Sequence, residues 1–217
     1  MLSLNSEKAS LTQNLTMNSS HIAINVGCDK NINPVLLTKL LGIKIDNTLT
    51  WKTHIEMIIP KLCVASFAVR AIKTFVMLDT LKMVYHSYFY SIINYGIIFW
   101  GNSSFGNSIF KLRKRIIGII LGVRIRDLCR EFLKLLNILP LISQYVFSLL
   151  LFVVNNNNQL WMNSEICNIN TRNNSDFYQP LSHLTIYQKC PFYIGIKLYN
   201  RIPAEVKSLS HNIKKFK

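Results

Sequence analysis

Apolar and polar residues alternate over His21–Val26, and Thr38–Asp46 reads TKLLGIKID before the polar pair Asn47-Thr48. Such runs bounded by turn residues predict strands, the second of them taking in Leu41–Asp46. From Thr50 the period lengthens. Trp51, Ile55, Ile58, Ile59, Leu62, Ala65, Phe67 and Val69 recur every few positions as in an amphipathic helix, and Pro60 inside the run predicts a kink or break. Asp79-Thr80 suits a helix N-cap, so a further helix is expected towards Trp100, ended by Gly101-Asn102-Ser103-Ser104.

The pattern is most informative over Ile109–Val123. At about 100° per residue, Ile109, Leu112, Ile116, Ile119, Ile120 and Val123 fall on one face of a helix, with Lys111, Lys114, Arg115, Gly118 and Gly122 on the other. One side is therefore core and the other cationic, with Leu112, Ile116 and Ile120 inward and Lys114 and Arg115 in water. Arg113 breaks the pattern at the edge of the apolar face and is expected to reach out to solvent. Glycine costs a helix about 1 kcal/mol relative to alanine, so Gly118 and Gly122 point to something close to the backbone, either a phosphate chain or a neighbouring helix. Helices over Asp127–Leu136 and Leu141–Val154 follow, separated by Pro140. Beyond the polar run Asn155–Gln159, residues 160–190 carry little periodicity and read as loop.

Half of the 217 residues are apolar, enough for a buried core. Lys and Arg number 25 against 10 Asp and Glu, a formal charge of +15 that suits nucleic acid, an anionic membrane or an acidic partner. The excess is concentrated in the middle, where residues 61–140 hold 12 basic and 3 acidic side chains. Five separated cysteines, with no C-x-x-C pair, indicate neither a disulfide framework nor a zinc site and are expected to be reduced and mostly buried. An intracellular setting, nucleus or cytoplasm, fits that reading. Val84–Trp100 has no charged residue of the Lys, Arg, Asp or Glu type and Tyr145–Val154 is nearly all apolar, which raises a small membrane-associated protein as a rival. The first is interrupted by His86, Ser87, Ser91 and Asn94, and the second is about half the roughly twenty residues a span needs, so both read as buried helix and no membrane partner is expected.

Leu41-Gly-Ile-Lys-Ile-Asp-Asn-Thr-Leu-Thr-Trp51-Lys-Thr-His54-Ile55 resembles the LGI-x-hydrophobic-D-x-x-L-x-W-x-x-H-I block of non-LTR retrotransposon reverse transcriptases. Thr80-Leu-Lys-Met-Val-Tyr85, Asn94-Tyr-Gly-Ile-Ile-Phe-Trp-Gly-Asn102, the basic Lys111–Arg115 segment and Arg126-Asp-Leu-Cys-Arg-Glu131 follow in the family's order. Gly195-Ile-Lys-Leu-Tyr-Asn-Arg-Ile-Pro203 is similar to the end of such reading frames in insect elements, and Leu2-Ser-Leu-Asn5-Ser-Glu-Lys8 to the palm segment just after the catalytic F/Y-A-D-D turn, with Ala9 where the family has Thr. The resemblance implies a chain that starts downstream of the metal-binding aspartates. It implies an α+β, predominantly helical fold: a palm remnant with strands over 1–48, a helical thumb-like region over 49–154, and a C-terminal region over 155–217 that is loop-rich and then carries short helix or strand elements.

Template-directed nucleotidyl transfer uses two Mg²⁺ ions held by clustered carboxylates. This sequence has no adjacent acidic pair, and Asp127 with Glu131 reads as surface ion pairing among arginines. No cofactor or metal site is therefore expected in this chain, Mg²⁺ belonging to the full-length enzyme. Lys8 matches a palm lysine able to act as general acid for pyrophosphate, a role vestigial without the metals. His54 reads as a half-buried structural residue, and Trp51, Tyr95 and Trp100 as core in preference to base-stacking groups. In the family the helical thumb after the palm holds the template–primer duplex, so the resemblance implies binding of an RNA or DNA template–primer through its phosphates by Lys111, Lys114, Arg115, Arg124, Arg126 and Arg130, the alternative being a solvated basic face. A host-adopted nucleic-acid-binding protein without enzymatic activity would carry the same surface.

Overall fold

Leu41 and Gly42 both adopt positive φ, 47° and 85°. Two such residues in succession make the tight turn that matches the twist of a two-stranded hairpin, and glycine takes the second position without steric cost. The computed structural model, which describes residues 24–26, 30–32, 36–124, 130–166, 173–211 and 216, accordingly has two strands where one was predicted. They are β3 (Leu37–Leu40) and β4 (Ile43–Asp46). Ahead of them β1 (Ile24–Val26) pairs antiparallel with β2 (Lys30–Ile32), Ile24 opposite Ile32. His21 lies outside the described residues. The chain divides into two compact units, Met1–Thr38 and Lys39–Lys217. In the first, β1 and β2 form a two-stranded sheet.

Helix α1 (Lys52–Ile72) runs through Pro60 without interruption. Pro60 is exposed, so water can serve the carbonyl that its missing N–H leaves free. Ile55, Ile58, Leu62, Ala65 and Val69 turn inward, whereas Phe67 points to the opposite side and is 71 % exposed, because it lies two residues from Ala65 and two from Val69. Its apolar character, not its spacing, had placed it in the predicted core pattern.

The predicted cap at Asp79-Thr80 is displaced. Helix α2 (Leu78–Val84) begins two residues earlier, after Met77, and Asp79 sits in its first turn, where a carboxylate favours the positive end of the helix dipole. A π-helical segment Tyr85–Tyr90 continues into α3 (Ser91–Asn94), and the chain breaks at Tyr95-Gly96 before α4 (Ile97–Trp100), so there is no single helix up to Trp100. Tyr85, Phe89, Ile93 and Ile97 are all buried at a strict spacing of four. Wider i→i+5 turns lengthen the repeat beyond 3.6 residues, which keeps such a stripe on one face.

Helices α5 (Asn107–Leu121), α6 (Arg130–Leu135) and α7 (Leu141–Asn155) follow, the last starting directly after Pro140 as predicted. Residues 160–190 are not all loop, since α8 (Asn163–Ile166) and α9 (Thr185–Gln188) lie within them. Then come α10 (Pro191–Asn200) and α11 (Ala204–Ser208). The main core joins α1, the Tyr85–Trp100 stretch, α5 and α7. A second cluster packs Ile196 and Tyr199 of α10 on Val153 and Val154 of α7 around Phe177. The fold is thus predominantly helical with small two-stranded sheets. Among the described residues no helix is long and apolar enough to cross a membrane, and Val84–Trp100 supplies core residues instead.

Candidate nucleic-acid interface

Helix α5 is two-sided as its pattern predicts. Ile109, Ile116 and Ile120 are buried, Lys111, Lys114 and Arg115 are exposed, and Leu112 is half-buried against the core. Lys114 Nζ lies 4.8 Å from the centre of the Phe110 ring, which steadies the cation over an aromatic face without removing it from water.

Arg113 overturns its prediction. It is 2 % exposed and does not reach solvent: its Nε donates to Tyr85 Oη at 3.0 Å and its Nη1 to Gln144 Oε1 at 2.8 Å. Gln144 in turn donates to Asn94 Oδ1 at 3.2 Å. This polar chain ties α5 to the π-helical segment, α3 and α7, and an arginine at the edge of an apolar face has gone inward because two acceptors, Tyr85 and Gln144, wait there. Gly118 is buried by the protein itself, which answers for that position the alternative between phosphate and neighbouring element. Gly122 is instead a left-handed helix cap, at φ 73°. A β-carbon there would lie 3.2 Å from Lys73 Nζ, so the Lys73 ammonium stands at the negative end of α5.

Packing of α1 along α5 adds two cations that sequence reasoning missed, Arg70 and Lys73. Arg70 and Arg115 line one cleft of about 150 Å³ together with Cys63, Ser66, Phe67 and Leu112. Both residues lie in the basic middle of the chain, but a charge count does not say which helix lies beside which. Of the five cysteines expected to be mostly buried, Cys63 is exposed and Cys190 half-buried, while Cys28, Cys129 and Cys167 lie outside the described residues. Cys63 shares the outward face of α1 with Phe67 and Arg70, one and nearly two turns away. Arg124 is exposed just past α5. Arg130 begins α6, its side chain outside the described set, and Arg126 and Lys8 lie outside the described residues. Among the described residues the ion pairs are Lys82–Asp79 and Lys207–Asp176, so Arg70, Lys111, Lys114 and Arg115 keep their charge unpaired.

The block around Trp51 has a local logic. Asp46 accepts hydrogen bonds from the Thr48 hydroxyl, from the Thr50 hydroxyl and N–H, and from the Trp51 N–H, fixing the turn that enters α1. Burial opposes its ionisation, but those bonds, led by Thr50, outweigh burial and hold the carboxyl at about 2. His54 is 1 % exposed, more deeply buried than predicted, and its Nδ1 accepts the Lys44 N–H at 3.2 Å, joining β4 to α1. Trp100 is core and donates from Nε1 to the Tyr95 carbonyl at 3.2 Å. Trp51 is half-buried beside Phe99, whereas Tyr95 is exposed and its hydroxyl donates to the Leu41 carbonyl.

Of the acidic pair weighed from the sequence, Asp127 lies outside the described residues and so does the side chain of Glu131. Asp46 is saturated by four donors, Asp79 and Asp176 face lysines, and Glu165 accepts the Met162 N–H at 2.8 Å. Among the described residues no group of three or more His, Cys, Asp or Glu side chains could hold a metal ion. The exposed cations of α5 can attract and seat an anion. Compared with family profiles, characterised proteins and solved structures, the chain matches none.

Proposed function

We propose that this chain is the post-catalytic part of a non-LTR retrotransposon reverse transcriptase and that its role is to hold a nucleic-acid template–primer through the phosphates. The resemblance of the Leu41–Ile55 block and the segments after it supplies the family. On this reading the strands preceding α1 are a palm remnant and the helices to Asn155 a thumb-like region. The observation that carries the binding role is the face of α5, where Lys111, Lys114 and Arg115 stand exposed and, among the described residues, unpaired with carboxylates while the opposite face is held in the core.

Phosphate contact needs only charge and reach, so recognition is largely independent of base sequence. Each phosphate neutralised releases counterions, and binding to a B-form primer–template duplex should fall with salt at a log–log slope of about −0.9 per contact. Replacing Lys111, Lys114 and Arg115 by Gln should make that slope shallower by up to about three units, similarly for different sequences, with helicity by circular dichroism unchanged. An unchanged slope in the folded triple variant would show that α5 presents only a solvated face.

A further inference from the structure

We propose that the cleft between α1 and α5 is a subsite for one nucleotide of single-stranded nucleic acid, its phosphate taken by Arg70 and Arg115 and its base stacked on Phe67. The inference rests on the nucleic-acid reading above and narrows it to a substrate form and a place.

Three features of the cleft argue for this occupant. Arg70 and Arg115 bring two guanidinium groups to one lining, and neither is paired with a carboxylate among the described residues. Like charges so placed repel until an anion joins them, and the planar fork of arginine matches phosphate oxygens in pairs. A space of about 150 Å³ accepts a phosphate group and leaves the base at its rim. At that rim Phe67 is 71 % exposed, on the same lining as Arg70. A phenyl ring left in water by a helix that had a core to bury it in is a ready platform for a flat apolar partner. Stacking is worth about 1–3 kcal/mol per base and tolerates any base, because each has a π-face.

The ring also decides between strand forms. In a duplex the faces of the bases are covered by their neighbours, so a side chain standing out from a helix stacks only on an unpaired base. A template overhang or a displaced strand fits, and the basic face of α5 borders the same cleft through Arg115. An apolar peptide is the poorer occupant, since two of the six lining residues are cations.

The test uses the whole chain, a fluorescent oligothymidylate and a blunt duplex, with binding read by anisotropy across a salt series. Phe67→Leu keeps an apolar helix-forming residue at an exposed position and is expected to fold. It should weaken oligothymidylate binding about tenfold, within the range of one lost stack, leave its salt slope unchanged and leave duplex binding as in the wild type. Arg70→Gln should make the single-strand slope shallower by about 0.7, one phosphate contact. In the wild type, saturating oligothymidylate should slow alkylation of Cys63, read by peptide mass spectrometry, because that thiol lines the cleft. Wild-type affinity for oligothymidylate in folded Phe67→Leu, or equal loss for oligothymidylate and duplex, would overturn the subsite while leaving the α5 surface to stand on its own salt dependence. Absence of binding to either nucleic acid by the wild type would remove both.

Discussion

His54 is held between two demands. Its Nδ1 accepts the Lys44 N–H, so the ring proton sits on Nε2, which is buried without a hydrogen-bond partner among the described residues. A second proton has to displace the bond at Nδ1. Burial, and after it the charges of Lys61 and Lys44, lower the His54 pKa below its ordinary 6.5. With the folded value depressed, the unfolded chain binds more protons as pH drops below 6.5. The contribution to stability is therefore full above that value and is lost as pH falls through the lower folded value. The urea midpoint should decline as pH falls below 6.5, and His54→Asn, whose carbonyl can take the place of Nδ1, should flatten much of that decline. His86, shifted the same way by burial and by Arg113, accounts for a residual slope. A slope identical in the variant would show that His54 does not set it. Asp46 acts in a separate window, since its contribution is present above 3.8 and lost as pH falls through about 2. Arg113 makes the complementary point about legibility. Its identity and helical phase were readable, but the hydroxyl of Tyr85 and the amide of Gln144, 28 and 31 positions away, were not.

Among the elements, α10 packs on α7 through a small residue, Gly195. A β-carbon on Gly195 would lie 2.6 Å from Val153 Cγ2. Val153 is fully buried and β-branched, so it has little room to give. Gly195→Ala should therefore destabilise the chain by about 1–3 kcal/mol despite the better helix propensity of alanine. Thermal denaturation of Gly195→Ala beside the double variant Gly195→Ala/Val153→Ala should show partial recovery in the double; a stabilised single variant would mean that α10 and α7 do not pack this closely. Asn200 fastens the same helix by exchanging hydrogen bonds with the Phe177 backbone, at 3.1 and 2.8 Å. The tail segment that resembles the family's C-terminus thus contains the residues that dock it. Helix existence was legible for α1, α5 and α7 because their apolar periods are long. The π-helical turn and the Tyr95-Gly96 break were not, since a stripe spaced by four reads as one helix until the backbone is seen.

For the whole molecule, a sequence without an adjacent acidic pair and a helix α5 that exposes Lys111, Lys114 and Arg115 predict binding without synthesis. Purified chain given Mg²⁺, a primed template and nucleotides should yield no extended primer, because two metal ions need clustered free carboxylates. Extension abolished by a substitution within this chain would overturn that view.

By itself the sequence determined the helix-rich class, the two faces of α5, the concentration of basic charge in its middle, and the block from Leu41 to Ile55 that carries the family resemblance. These are local properties: a helical period, a charge count and a turn depend on residues a few positions apart. Tertiary structure alone decided that Arg113 is inside and that Arg70 meets Arg115 in one cleft. Each of those outcomes depends on which helix lies beside which, through contacts between residues tens of positions apart that no period along the chain encodes.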